Sequence, residues 1–283
     1  MGGDNFAKAT DIMLIGWKFN DKVSIMGGKS PQFWGGYEYD ENPMTIYQYS
    51  DILDNVGIFL TGVALSVKPV PEHKFVFNIT DSYNGSFAEE YGANVLTSKG
   101  ALVQAAKHPL TYILNWNGSF FGGKLTNRWG IGSYTQAKHY HDNMVILGQQ
   151  LNLPKLQWYI DYMGSFEGLD RLCIATRELS HDGSYLTHVR YNSFVSKMNW
   201  QFAPRFNLML QGMYETAAVK GLGKYRTSMG YFSSLEYYPM EGQDFRIFIA
   251  YLGRNYRYGS NVDLGNYSTN RIEVGLMFRI KAY

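Results

Sequence analysis

Side chains able to make or break bonds are sparse in this chain of 283 residues. Ser180-His181-Asp182 brings a hydroxyl, an imidazole and a carboxylate into one stretch, the residue types of an activated nucleophile. They are consecutive, however, in a segment with no sign of a scaffold that would aim them. His139 and His141 flank Tyr140, and an i, i+2 pair at a strand end can share a metal. Only Asp142 stands nearby as a further ligand, so a solvated loop is the simpler reading. Cys173 is the one cysteine, which excludes an internal disulfide and a cysteine-based zinc site on one chain. No glycine loop of the phosphate- or dinucleotide-binding type occurs. The expectation is no catalytic residue, no metal and no cofactor.

The charges are organised differently. Residues 30–54 carry Glu38, Asp40, Glu41, Asp51 and Asp54, and no Lys or Arg. The same stretch holds Trp34, Tyr37, Tyr39, Tyr47 and Tyr49, large rings with polar tips that suit packing inside a protein with the tips satisfied. Seven basic residues, Lys68, Arg128, Lys197, Arg246, Arg254, Arg271 and Arg279, fall on the polar side of alternating segments. Acids on one side of an aqueous space and bases on the other make a transverse field that acts on ions and small polar solutes without reacting with them. Lys and Arg number 26 against 24 Asp and Glu and are scattered, so no nucleic-acid partner is expected.

The elements that would position these charges are strands. Segments of about ten residues alternate apolar and polar positions. Strands are expected near 10–19, 22–29, 56–68, 73–83, 109–118, 125–137, 143–151, 156–164, 186–201, 205–216, 225–238, 244–256 and 270–282. The odd connections are short: Asn20-Asp21, Pro69 to Glu72, Gly122 to Lys124, Asn152 to Lys155, Ala203-Pro204 and Pro239 to Gln243. The even ones, 30–54, 84–108, 138–142, 165–185, 217–224 and 257–269, read as long or medium. Short turns at one end and long loops at the other describe a transmembrane antiparallel β-barrel with its turns in the periplasm. Aromatic residues near strand ends, Trp17, Phe19, Trp129, Trp200, Phe202, Tyr237, Tyr238 and Tyr283, fit girdles at the membrane interfaces.

Alternation also assigns faces. Ile272, Val274, Leu276, Phe278 and Ile280 share one side of the last segment, opposite Arg271, Glu273, Arg279 and Lys281. Phe245, Ile247, Ile249 and Tyr251 oppose Arg246 and Arg254; Leu156, Trp158, Ile160 and Tyr162 oppose Gln157 and Asp161. Phe206, Leu208 and Leu210 oppose Asn207 and Gln211, and Tyr112, Leu114 and Trp116 oppose Thr111 and Asn115. A lipid exterior with a wet lumen satisfies both faces, and closure removes the open edges that hydrocarbon cannot solvate. A soluble β-sandwich or propeller also has many short strands, but it seldom keeps short and long connections in strict alternation.

Trp17 to Phe33, with the turn Asn20-Asp21 and the run Gly27-Gly28-Lys29, resembles the phosphate-selective porin O and P family, as do Gly35 to Asp40 and Gly62 to Pro69. The resemblance implies one barrel domain over 1–283, a passive porin in the bacterial outer membrane, contact with lipid and lipopolysaccharide, and a homotrimer. It implies that 30–54 is a loop folded into the lumen, with Tyr37, Glu38, Tyr39, Asp40, Glu41 and Asp51 at the constriction. Family members resemble sixteen-stranded barrels. About thirteen strands are read here, so an odd number of strands (one for a fourteen-stranded barrel, three for a sixteen-stranded one) and a signal peptide are expected ahead of Met1. Phosphate selectivity requires cations at the constriction, and 30–54 has none, so the solutes expected are small polar or ionic ones, phosphate among them. The alternative kept open is a barrel with a plugged lumen serving as a scaffold for an outer-membrane lipase, protease or adhesin.

Overall fold

Each expected alternating segment forms a strand in the computed structural model, which describes residues 10–242 and 244–279. The strands are β1 Met13–Lys18, β2 Val23–Pro31, β3 Phe59–Val70, β4 His73–Asp81, β5 Leu110–Phe120, β6 Leu125–Ala137 and β7 Tyr140–Leu153. They continue with β8 Leu156–Leu169, β9 Thr187–Ala203, β10 Phe206–Val219, β11 Gly223–Tyr237, β12 Asp244–Tyr258 and β13 Tyr267–Arg279. All pair antiparallel with their sequence neighbours in a single sheet ordered β1 to β13. Met1, Gln243, Ile280, Lys281 and Tyr283, and the end of the expected strand 270–282, lie outside the described residues.

The sheet is greasy outside. Ile272, Val274 and Leu276 are at least 70% exposed, and Ile249, Ile131, Leu114 and Phe194 also face out. Inward neighbours in the same strands are buried: Thr111, Asn115, Asp161, Gln211, Arg246 and Arg254. This matches the face assignment at those positions, while Gln157, Arg271 and Arg279, assigned to the same polar face, are exposed. Rings cluster toward the short-turn end, where Trp200, Phe202, Phe206 and Tyr237 form a chain with centroids 5.0–5.9 Å apart. Trp116 meets Trp129 edge-on at 5.2 Å. Tyr238 departs from the girdle, because its hydroxyl donates to the inward-facing Glu236 at 2.9 Å.

Two even connections are tighter than read from sequence. The ladder between β6 and β7 runs to Ala137 opposite Tyr140, leaving only Lys138 and His139, and His139 takes the left-handed conformation at φ 70°. The ladder between β10 and β11 closes at Val219 opposite Gly223, so the expected loop 217–224 is a three-residue turn. Strand pairing here runs on past the point where apolar alternation fades.

Three long connections sit at that same end. Residues 82–109, with α3 Phe87–Tyr91 capped by Ser86 and Glu89, pack on 170–186, which carries α4 Ile174–Leu179. Tyr83, Tyr91, Val95 and Val103 meet Ala137 and Leu169 there, and Thr97 bridges to Tyr185. The third connection, 32–58, turns inward and carries α1 Tyr37–Asp40, a 3-10 turn Pro43–Thr45 and α2 Asp51–Asn55. It touches inward side chains from β4 round to β13: Gln32 meets Thr80, and Arg271 donates to the Tyr47 carbonyl. A flat sheet cannot reach one loop from both ends, so the sheet is rolled around it. No helix among the described residues is long and apolar enough to cross a membrane.

The wall behind the loop departs from a simple polar lumen. Met144, Ile146, Met163 and Val195 point inward and are buried against Trp34, Ile52 and Leu53 of the loop. The inner face of the middle strands is therefore a packed core.

Candidate functional site

The inward turn starts from glycines on both partners. Gly35 and Gly36 take φ 86° and 80°, open to few other residues. Trp34, fully buried, then lies against β6 over Gly130 and Gly132, where a Cβ on Gly132 would fall 2.6 Å from the indole. Gln32 fixes that indole by accepting from its Nε1 at 3.0 Å. Asp161 of β8 accepts from the amides of Tyr37 and Glu38, both at 2.7 Å, and so fixes α1 to the wall.

From this anchor the loop acids meet the wall bases. Asp40 pairs with Arg128 of β6, whose guanidinium lies 4.9 Å from the centre of the Tyr37 ring. Tyr37 donates to Thr126 at 2.5 Å and stacks on Tyr159. Burial raises the Asp40 carboxyl, and Arg128 opposes the shift. Glu41 pairs with Lys197 of β9 and accepts from Tyr159 at 3.1 Å, while Lys197 also donates to the Thr45 carbonyl at 3.2 Å. Arg246 bridges Glu236 at 2.7 Å and the Met44 carbonyl at 3.5 Å.

Asp51 behaves differently. It ion-pairs with Arg254 at 2.7 Å and with Arg226 at 3.2 Å, and its amide donates to Glu215 at 2.5 Å. Arg254 also pairs with Glu215, and Arg226 reaches Glu178 of α4 at 3.3 Å. Three acids and two arginines thus lock α2 and an outer loop to β10, β11 and β12. Arg254 and Glu215 are buried and Asp51 and Glu178 only partly exposed, so this cluster is an anchor for the loop more than a lining of open water.

Several expected site residues stand elsewhere than at a water-filled constriction. Glu38 is fully buried, and its two oxygens accept from the Ser50 amide and hydroxyl, each at 2.8 Å, tying one limb of the loop to the other. Burial pushes its carboxyl up to about 8 against those two bonds, which favour the anion. Tyr39 packs against the core cluster, and burial holds its hydroxyl protonated. Arg279 pairs with Asp244. Asp51 and Arg254 belong to the anchor that ties α2 to the wall. Their alternation was read correctly, but facing inward is not facing water once a loop fills that side.

Two cavities flank the loop and reach the short-turn end. One, about 390 Å³, is lined by Lys68, Lys74 and Arg128 with the carboxamides of Asn117, Asn127 and Gln150. The other, about 440 Å³, is lined by Lys197, Arg246, Glu41 and Glu236 with Asn199 and Tyr47. Lys74, Glu215, Arg226 and Glu236 escaped the sequence reading, and Asp161 was placed on the polar face without a role. Inward parity alone would have found them, since each sits on the polar register of its strand.

The nucleophile-like stretch is a turn. Ser180 donates to Asp182 at 3.0 Å, and the Ser184 amide donates to the same oxygen at 3.0 Å. Hydrogen bonds from Ser184 and Ser180 lower the Asp182 carboxyl to about 2. His181 lies within this turn with its side chain exposed.

A greasy-walled, rolled antiparallel sheet with a charged loop pinned across its bore defines an outer-membrane barrel of the porin type. The chain belongs to the phosphate-selective porin O and P family, whose model matches residues 1–280. Its fold is similar to the outer-membrane channel DcaP of Acinetobacter baumannii, with TM-score 0.61 and 8% identity over 89% of this chain and 70% of that one. It is also similar to OmpT of Vibrio cholerae, with TM-score 0.57 and 10% identity over 94% and 79%. A porin refined at 1.8 Å gives TM-score 0.54 and 11% identity over 92% and 78%. No curated protein matches the sequence.

Proposed function

We propose that this porin passes small polar and ionic solutes by diffusion along the rim of loop 30–54, without catalysis. Residues 1–283 act as one barrel domain. The observation that carries the reading is that Asp40 and Glu41 meet Arg128 and Lys197 beside two polar cavities. Lys68, Arg128, Lys197, Arg246 and Arg271 are the proposed basic lining, with Tyr37, Asp40 and Glu41 opposite. The cavity with Lys68 and Lys74 supports passage of anions, phosphate among them, while the Glu41 and Glu236 side suits solutes of mixed charge. The proposed unit is a homotrimer embedded in outer-membrane lipid, checked by cross-linking in native membranes.

One observation favours a plugged barrel instead: Trp34, Ile52 and Leu53 pack tightly on the inner wall. Conductance of the purified protein in a planar bilayer separates the two. Discrete current steps are expected, and a silent membrane would overturn the diffusion reading.

A further inference from the structure

The outer rim holds a cleft that the pore does not use. Facing lipid, β8 and β9 pair Trp158 with Met198, Tyr162 with Phe194, and Phe166 with Arg190. The next outward position on β8 is Gly168, flanked by β7 and β9. A Cβ at Gly168 would fall 2.8 Å from the His141 carbonyl, so glycine admits the close approach of β7 that sets His141 at one side of the cleft. His188 stands on the other side, and its carbonyl accepts from the Lys220 amide at 3.1 Å. The cavity measures about 580 Å³ and is lined by these residues with His139.

The chemistry is one-sided. The guanidinium carbon of Arg190 lies 5.1 Å from the centre of the Phe166 ring, which holds the charge at the cleft. Arg190, Lys220, His139, His141 and His188 are all exposed. Neither Arg190 nor Lys220 makes an ion pair among the described residues. The lining acid, Glu167, is buried and points away, bonded to Ser165 and to the Leu172 amide. Among the described residues no three ligating side chains converge to hold a metal. Two cations and three imidazoles without a carboxylate, His141 already sharing its Nδ1 with Thr135 at 3.3 Å, make a donor set for an anion with several oxygens, and a phosphate fits it.

The height supplies the source of the phosphate. From Trp158 to Phe166 the strand climbs about 26 Å, and strand tilt lowers that to near the edge of an apolar band about 25 Å tall. Below the cleft the wall is Phe194, Tyr162 and Leu147, a seat for acyl chains. The long loops share this end, so it faces outward.

We propose that this cleft binds the phosphorylated headgroup of an outer-leaflet glycolipid, with Arg190 and Lys220 on the phosphate and the rings below on the chains. The proposal rests on the barrel's outer-membrane sidedness and is independent of what crosses the lumen. The test measures binding of lipid A, and of chemically dephosphorylated lipid A, to the purified full chain in detergent. The double variant Arg190→Gln with Lys220→Gln and the single Lys220→Gln are compared with the parent. The parent should prefer phosphorylated lipid A, and removing the bases should cut its affinity about fivefold for Lys220 and about thirtyfold for both. Conductance should stay as in the parent, which separates failure here from failure of the porin reading. Equal binding by parent and Lys220→Gln, a fold check having passed, would overturn the proposal. So would displacement of lipid A by inorganic phosphate at equal concentration, or a double variant that loses its oligomer yet keeps its lipid, which would make the cleft a contact between copies.

Discussion

Replacing Asp40 with Asn and Glu41 with Gln keeps side-chain shape and strips two negative charges from the loop. Both acids now neutralise bases on the wall, Arg128 and Lys197. Freed of its partner, each base presents a full positive charge to whatever passes. For an ion about 6 Å away, one unit charge is worth about 0.7 kcal/mol in water, and salt near 0.1 M trims this to about 0.4 kcal/mol. The anion gains that amount and the cation loses it, so each substitution moves the anion-to-cation permeability ratio by about 0.8 kcal/mol, about fourfold. A fourfold ratio starting from parity corresponds to about 25 mV of reversal potential across a tenfold potassium chloride gradient. Single variants should therefore each shift the reversal potential by that order toward anions, and the double variant further. Glu38→Gln is the internal control, because its carboxyl is sealed against Ser50 and should leave selectivity alone. Reversal potentials that stay within a few millivolts in the double variant would refute the placement of Asp40 and Glu41 beside the permeation path.

Gly132→Val should push Trp34 off β6, since even a Cβ there falls 2.6 Å from the indole; the loop then swings out, and single-channel conductance should rise with noisier open states. Glu38 should make loop order depend on pH. Its folded carboxyl sits at about 8 against an ordinary 4.5, so the folded loop favours the proton, and its stability falls as pH rises between those values and levels off above. Limited proteolysis of the loop should accelerate from pH 5 to pH 8 in the parent and stay flat in Glu38→Gln; the opposite slope would contradict the assignment. Arg254→Met leaves the buried Glu215 without its arginine and should cost about 3–5 kcal/mol in urea unfolding, with Arg254→Met plus Glu215→Gln recovering part of the loss.

How much of this was legible depended on range. The strands were, because lipid on one side and protein interior on the other force a period of two, as in Ile247, Ile249 and Tyr251 against Arg246 and Arg254. The turn Asn20-Asp21 was also legible, and its Asn20 side chain accepts from the amides of Lys22 and Val23. The loop's charge content could be read, but its partners could not, since Asp51 and Arg254 are separated by 203 positions and nothing local links them. Nor did alternation tell a wet inward face from a packed one. Met144, Ile146 and Met163 share the inward register with polar residues such as Asp161 and Ser165, so polarity along the strand does not mark where the packing begins. The turns at 138–139 and 220–222 were overestimated in length because strands that rise past the membrane lose their apolar face while keeping their hydrogen bonds.

The anchor around Asp51 raises the question of why charges hold the loop when apolar packing already surrounds Trp34 and Ile52. Burying Asp51, Glu178, Glu215, Arg226 and Arg254 costs several kcal/mol per ion, and their pairing offsets that cost only when every partner is in register. Apolar contacts tolerate sliding; a loop lying on methionines and isoleucines has many seats of similar energy. An ion network of three acids and two arginines has one. Slipping α2 by a single residue would strand Arg226 and Arg254 against backbone and leave Glu215 alone. We hypothesise that the network gives the loop a single position more than it gives it stability. Asp51→Asn, Glu215→Gln and Arg254→Met combined would then unfold near the parent's urea midpoint while its channel currents scatter over several conductance levels. A triple variant with one sharp conductance level would show that the apolar contacts alone fix the loop.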